Sequence, residues 1–75
     1  KSKLQMLLSV SNLKMLGTIH DPHRLWAIVQ SGNQILHLSS GQQLDPKTEV
    51  IQVSEKLVII KQVDRVWQIP LEENK

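Results

Sequence analysis

The sequence contains no cysteine, no phenylalanine and no tyrosine, and its only aromatic residues are two tryptophans. Without cysteine there is no disulfide framework and no thiolate zinc site, so the fold must depend on side-chain packing alone. The chain also lacks a run of about 18 apolar residues, the length that a membrane-spanning helix needs. It begins with lysine rather than methionine, so we expect a fragment or processed form from which an anchor or targeting segment was removed.

Long stretches of one charge are absent as well. Nine Lys and Arg residues against seven Asp and Glu residues leave a net charge of +2. The two signs are interspersed and do not form the basic run that would follow a phosphate backbone. A chain of 75 residues forms one domain and buries only about 60% of its unfolded surface. A deep substrate pocket would compete with this small core for volume, which disfavours an enzyme.

Short apolar segments separated by turn signals run through the chain. The first two, residues 13–19 and 25–29, flank a polar segment with an Asp-Pro step, which is typical of a β-hairpin. Further segments with strand character follow at intervals of roughly ten residues, namely residues 34–38, 49–53, 57–60 and 66–71. This pattern predicts an all-β fold, a small six-stranded antiparallel sandwich or barrel.

The spacing of the segments also predicts how the chain is divided. Two three-stranded sheets, from residues 13–38 and 49–71, would be joined by a loop at residues 39–48. Residues 1–12 form a lead-in segment whose apolar side chains would cover one open end of this domain. The charged tail, residues 72–75, is expected to be mobile.

Strand alternation predicts which side chains share a face. Leu13, Met15, Gly17 and Ile19 would lie on one face of the first strand, and the glycine indicates a β-bulge. Residues 25–29 are continuously apolar, which predicts a central strand covered on both faces.

The two tryptophans are expected to differ in burial. Trp26 lies inside the apolar second segment and is expected in the core. Trp67 is expected nearer the surface, because Pro70 marks its strand as an edge strand.

Candidate catalytic and metal-binding residues are few. His20, Asp21 and His23 form the only cluster of metal-binding residue types, and His37 is the one further histidine. Zinc needs three or four ligands, whereas these residues are typical of a turn around a proline, so we expect no metal. Serines and carboxylates fall in turns and loops, and the three glycines are too far apart to cradle a phosphate. We therefore expect no catalytic residue, no cofactor and no small-molecule substrate. The remaining function is the binding of another protein through a sheet edge or an apolar face.

Residues 13–19, which read LKMLGTI, and residues 24–29, which read RLWAIV, resemble the opening of the PilP lipoproteins of type IV pilus machines. They are also similar to the periplasmic homology region of the GspC inner-membrane proteins of type II secretion. The step Gly41-Gln42-Gln43-Leu44 and the aliphatic segments 50–53 and 57–60 extend the resemblance over residues 13–71.

The chain departs from these families at two places. It has Ser39-Ser40 where PilP proteins carry further glycines, and it lacks the glycine that the secretion branch has near residues 63–65. These departures leave the branch of the family open. The divergent HofP-like branch, which is tied to DNA utilisation, is one candidate.

The resemblance implies a non-catalytic periplasmic adaptor domain of a type IV pilus, type II secretion-like or DNA-uptake machine, tethered to the inner membrane. Its partners would be the N-terminal periplasmic domain of an outer-membrane secretin and inner-membrane assembly proteins. In the secretion branch an arginine just before the second strand faces the secretin, and Arg24 has that position. The resemblance thus implies Arg24, with Leu16 and Ile19, as partner-binding residues.

The alternative function is that of a nucleic-acid-binding small β-barrel, which the size, β content and slight positive charge favour.

Overall fold

The computed structural model describes residues 10–72, which form two antiparallel β-sheets with a shared core. After a short 3-10 turn at Val10–Asn12, the first sheet contains β1 (Leu13–His20), β2 (Leu25–Ser31) and β3 (Gln34–Leu38). The second sheet contains, in this order, β4 (Gln43–Asp45), β5 (Thr48–Ser54), β6 (Leu57–Gln62) and β7 (Arg65–Pro70). The predicted all-β class is confirmed, and residues 13–38 form the first sheet as expected.

The expected number of six strands is corrected to seven. Residues 43–45, expected in the loop between the sheets, instead pair with the start of β5. Two backbone hydrogen bonds, each of 2.8 Å, also connect the preceding residues to β5. Gly41 N–H donates to the Val50 carbonyl, and Val50 N–H donates to the Gln42 carbonyl. Residues 1–9 of the expected lead-in and residues 73–75 of the expected tail lie outside the described residues.

An aliphatic layer between the two sheets forms the core. Successive side chains on a strand point to opposite faces, so every second residue of most strands is directed into this layer. Burying one such side chain contributes about 1.5–3 kcal/mol. The buried apolar residues are Val10, Leu13, Met15, Ala27, Val29, Leu38, Val50, Val53, Val58, Ile60 and Ile69.

The sheets are also joined along one side through their backbones. Leu71, just after β7, forms a parallel bridge with Met15 of β1, and Glu72 N–H donates to the Met15 carbonyl at 2.8 Å. The strands at the far ends of the two sheets are β3 and β4. The sandwich is therefore closed between β1 and β7.

A β-bulge in β1 changes the direction of the side chains that follow it. The register shifts between Met15 and Gly17, so Leu16 is an extra residue opposite β2, which confirms the predicted bulge. Because two residues of β1 there oppose one residue of β2, the alternation restarts after the bulge. Leu13 and Met15 are buried, whereas Ile19 is 49% exposed. Gly17 is also on the outer side, since it stands opposite Ile28 and not opposite the buried Ala27. The predicted common face for Leu13, Met15, Gly17 and Ile19 is therefore wrong for Gly17 and Ile19.

The two tryptophans occupy the opposite environments from those expected. Trp26 is only half-buried and lies outside the core, although its strand is central in the first sheet. The expectation that β2 is covered on both faces is thus wrong, since the core covers only the face with Ala27 and Val29. Trp67 is half-buried too, but it packs against the core, contrary to its expected surface position. It pairs with the buried Ile60, and Pro70 stands at the end of an edge strand, as predicted.

Two of the hairpins have two-residue loops in which the first residue has a left-handed backbone. Gly32 between β2 and β3 has φ 60°, and Val63 between β6 and β7 has φ 59°. Glycine adopts this conformation freely, whereas a β-branched residue there is strained by about 1–3 kcal/mol. The Val63 side chain is 56% exposed, so burial does not compensate for this strain.

Replacing Val63 with glycine should therefore stabilise the protein. We expect Val63→Gly to raise the free energy of unfolding by about 1 kcal/mol, because the relieved strain exceeds the entropy that glycine adds to the unfolded chain. Urea denaturation followed by circular dichroism measures this difference.

The reciprocal substitution Gly32→Val is the matched control. A Cβ at Gly32 would meet no atom within 4 Å, so only the backbone conformation distinguishes the two variants. We expect it to lower the free energy of unfolding by about 1 kcal/mol or more. A loss of stability in Val63→Gly would mean that contacts of the valine side chain outweigh its backbone strain.

Candidate functional site

The outer face of the first sheet, which points away from the core, carries exposed apolar side chains from β1 and β3. Leu16 is 44% exposed, Ile19 49% and Ile35 51%. The half-buried Trp26 and Ile28 of β2 lie between them. We call these five side chains the outer apolar surface.

Strand pairing makes the outer apolar surface continuous. Ile19 stands directly opposite Trp26, and Ile28 is opposite Gly17 on one side and His37 on the other. Directly opposed side chains on one face of a sheet have Cβ atoms about 5 Å apart, which is close enough for contact. Ile35 is the diagonal neighbour of Ile28 on β3. The five apolar residues thus extend across all three strands.

The outer apolar surface is not flat. A Cβ at Gly17 would meet nothing within 4 Å, so the surface is low between the side chains of Leu16 and Ile19. A shallow depression of about 340 Å³ lies beside it and is lined by Ile19, Asp21, Trp26 and His37. A partner side chain could enter this depression without any movement of the backbone.

The Trp26 ring is held in place by two neighbours. Its Nε1–H donates to Oδ2 of Asp21 at 3.3 Å, and the guanidinium carbon of Arg24 lies 5.5 Å from the ring centroid. Arg24 in turn donates from Nη1 to Oγ of Ser39 at 3.2 Å. A cation above an aromatic face is attracted by the ring's quadrupole, so Arg24 and Trp26 stabilise each other's position. These contacts define the position of the Trp26 ring within the chain itself, with no partner present.

Asp21 organises the loop between β1 and β2. Its carboxylate accepts a hydrogen bond from the backbone N–H of His23 at 3.0 Å, in addition to the one from Trp26. The His23 hydrogen bond first and the Trp26 hydrogen bond second hold the pKa of Asp21 below its ordinary value. The positive charge of Arg24 contributes less, and slight desolvation opposes all three.

The structure places all three predicted partner-binding residues on the same side of the first sheet. Ile19 lies opposite Trp26 and Arg24 lies over its ring, whereas Leu16 stands farther along β1 at the bulge. Trp26, Ile28 and Ile35, which also belong to the outer apolar surface, were not predicted from the sequence. The exposure of Ile35 follows from strand alternation, since residues three apart point to opposite faces and Leu38 is buried. Nothing in the local sequence distinguished Trp26 from a core residue.

The side chain of His20, in the predicted turn, reaches the second sheet. His20 Nε2 lies 3.0 Å from Oε2 of Glu55, on the turn between β5 and β6 of the second sheet. Both side chains are largely exposed, so this contact contributes little to stability. Within residues 10–72, no group of three or more His, Asp or Glu side chains could hold a metal ion.

Comparison of the chain with models of protein families, with curated proteins and with solved structures found no match. No helix within residues 10–72 has the length and apolar character needed to cross a membrane. The functional interpretation therefore depends on the geometry of the outer apolar surface and on the family resemblance of the sequence.

The hydrogen bonds of Asp21 predict a pH-dependent signal at Trp26. The charged carboxylate accepts both bonds, so folding favours it and lowers its pKa. The resulting stabilisation is present above the unfolded aspartate pKa of about 3.9 and is lost as the pH falls through the lower, folded value. In a series of ¹H–¹⁵N spectra at decreasing pH, we expect the indole N–H resonance of Trp26 to shift with a midpoint below the ordinary aspartate pKa.

Two controls accompany this titration. Trp67 Nε1 is buried and has no hydrogen-bond partner among residues 10–72, so its indole resonance should not follow the same transition. The substitution Asp21→Asn should abolish the transition at Trp26. A midpoint at or above the ordinary aspartate value would contradict the proposed role of these hydrogen bonds.

Proposed function

We propose that this chain is a non-catalytic adaptor domain that binds another protein through the outer face of its first sheet. The observation that supports this proposal is the outer apolar surface, which exposes three large aliphatic side chains around an ordered Arg24–Trp26 pair. Contiguous exposed apolar side chains are typical of protein-interaction sites. Tryptophan and arginine are also the residue types that most often dominate binding energy.

The charges around the outer apolar surface indicate the chemistry of the partner. Lys14 and Arg24 are exposed on this face, and the carboxylate beside Arg24, that of Asp21, already accepts two hydrogen bonds. Complementary charges at the rim of an interface accelerate association and set its orientation. A partner with an apolar centre and an acidic rim would fit this surface.

The resemblance to the PilP and GspC families supports a more specific partner. In this proposal the domain is periplasmic and tethered to the inner membrane. It links the inner-membrane assembly of a type IV pilus, type II secretion-like or DNA-uptake machine to the N-terminal periplasmic domain of an outer-membrane secretin. The arginine that faces the secretin in the secretion branch corresponds to Arg24, which lies at the outer apolar surface.

Titration of the ¹⁵N-labelled protein with a secretin N-terminal domain tests this proposal. We expect chemical-shift changes at sub-millimolar concentration, confined to the first sheet and centred on Ile19, Trp26 and Ile35. Shifts confined to the second sheet, or no shifts at all, would contradict it. Steeply salt-dependent binding to an oligonucleotide would instead favour the nucleic-acid-binding alternative.

Charge reversal at Arg24 adds a matched pair of variants to the titration. Arg24→Glu should weaken binding by at least about tenfold, since it removes a cation from the interface and breaks the contact with Trp26. Arg65→Glu is the control, because Arg65 lies 5.6 Å from the centroid of Trp67 on the second sheet. Equal weakening by both variants would point to net charge rather than to this surface. Circular dichroism checks that each variant is folded.

A further inference from the structure

The edge strand β3 (Gln34–Leu38) has backbone groups available for pairing. Among residues 10–72 it pairs with β2 only, so the N–H and C=O groups on its other side have no strand beside them. Proteins usually block such an edge with charged side chains, proline, a bulge or a very short strand. The sequence of β3 is Gln-Ile-Leu-His-Leu, and its pairing with β2 is regular, so it has none of these features.

The other edge strands of the described residues are protected. β4 has only three residues, contains a register irregularity and is followed by Pro46. β1 is joined at Met15 to Leu71 and Glu72, which follow β7. β7 itself begins with an arginine and ends with a proline. β3 is thus the edge of this part of the chain on which a further strand can be added.

We infer that β3 pairs antiparallel with β3 of a second copy of this chain, which makes a symmetric dimer with a continuous six-stranded sheet. If the twofold axis passes through Leu36, that residue lies opposite its own counterpart. Ile35 then lies opposite His37 and Gln34 opposite Leu38, so apolar and uncharged side chains meet and like charges do not. A contact of this kind uses the same edge of both copies, so assembly stops at two.

The side chains of β3 supply a reason for the pairing beyond backbone hydrogen bonds. Ile35 is 51% exposed and belongs to the outer apolar surface. In the dimer it would be covered by His37 of the second copy, and the two outer apolar surfaces would meet at the axis. The inference goes beyond the proposed function, since it involves no other protein.

The dimer should be weak, because the paired strands have only five residues each. Stable protein interfaces bury about 1,200–2,000 Å², and a strand of this length spans only about 17 Å. Sedimentation equilibrium of the whole chain from about 10 µM to about 1 mM covers the range in which such an interface dissociates. We expect the average mass to rise from that of a monomer towards that of a dimer and no further. A monomer throughout would overturn the inference and would leave the edge for a strand of another protein.

Substitution of one exposed isoleucine in each sheet locates the interface. Ile35→Lys places a charge on the β3 edge and should raise the dissociation constant at least about tenfold. Ile51→Lys is the control, because Ile51 is 43% exposed but lies at the bulge of β5 in the second sheet. If Ile35→Lys does not fold, His37→Lys makes the same test on the same strand. A dimer that Ile51→Lys weakens as much as the β3 variants do would overturn the inference.

A mixture of isotope-labelled and unlabelled protein identifies the pairing itself. We expect nuclear Overhauser contacts between backbone protons of Leu36 in one copy and Leu36 in the other. A dimer without these contacts would overturn the inference. Because no secretin is present in these measurements, their outcome is independent of the secretin titration.

Discussion

Burial of an aliphatic layer between two sheets is the interaction on which the rest of this structure depends. The chain has no cysteine and only two aromatic residues, and apart from Ala27 the buried apolar side chains are all Val, Leu, Ile or Met. Met15 belongs both to this layer and to the backbone connection between the sheets. Its side chain is fully buried, and its carbonyl accepts the hydrogen bond from Glu72 that joins the sheets. Met15 faces the core, and the bulge that changes the direction of the later β1 side chains comes directly after it.

The outer apolar surface is a consequence of that arrangement. The bulge directly after Met15 adds one residue to β1, and the restarted alternation turns Ile19 towards the same side as Leu16. Without the bulge, Leu16 and Ile19 would lie on opposite faces of the strand. Asp21 and Arg24 then hold Trp26 beside Ile19. An irregularity in one strand thus assembles a continuous apolar surface outside the core.

The proposed adaptor surface and the proposed dimer edge share one residue. Ile35 belongs to the outer apolar surface and also lies on the free edge strand β3. Dimerisation through β3 would place two outer apolar surfaces side by side on one sheet, so a partner with two binding sites could contact both copies. Two linked sites bind such a partner more tightly than either site alone, without any new contact.

Much of the fold could be predicted from the sequence, because it is encoded locally. Strand-forming segments, the turns between them and the bulge at Gly17 follow from residue types and their spacing over a few positions. The strand β4 could not be predicted in this way, since its three residues are defined as a strand by their pairing with β5, which is not a local feature of the sequence. Predicting which face Ile19 lies on requires knowing how one extra residue at the bulge changes the alternation.

The two Arg-x-Trp segments show where prediction from the sequence ends. In both, an arginine lies about 5.5 Å from the ring of a tryptophan two residues later. Trp26 is nevertheless outside the core and donates to Asp21, whereas Trp67 packs against the core with a buried Nε1. The sequence by itself determined the all-β class, the turns and the bulge at Gly17. Only the tertiary structure decided which tryptophan packs against the core, because the face of a strand that meets the core depends on its register with the neighbouring strands.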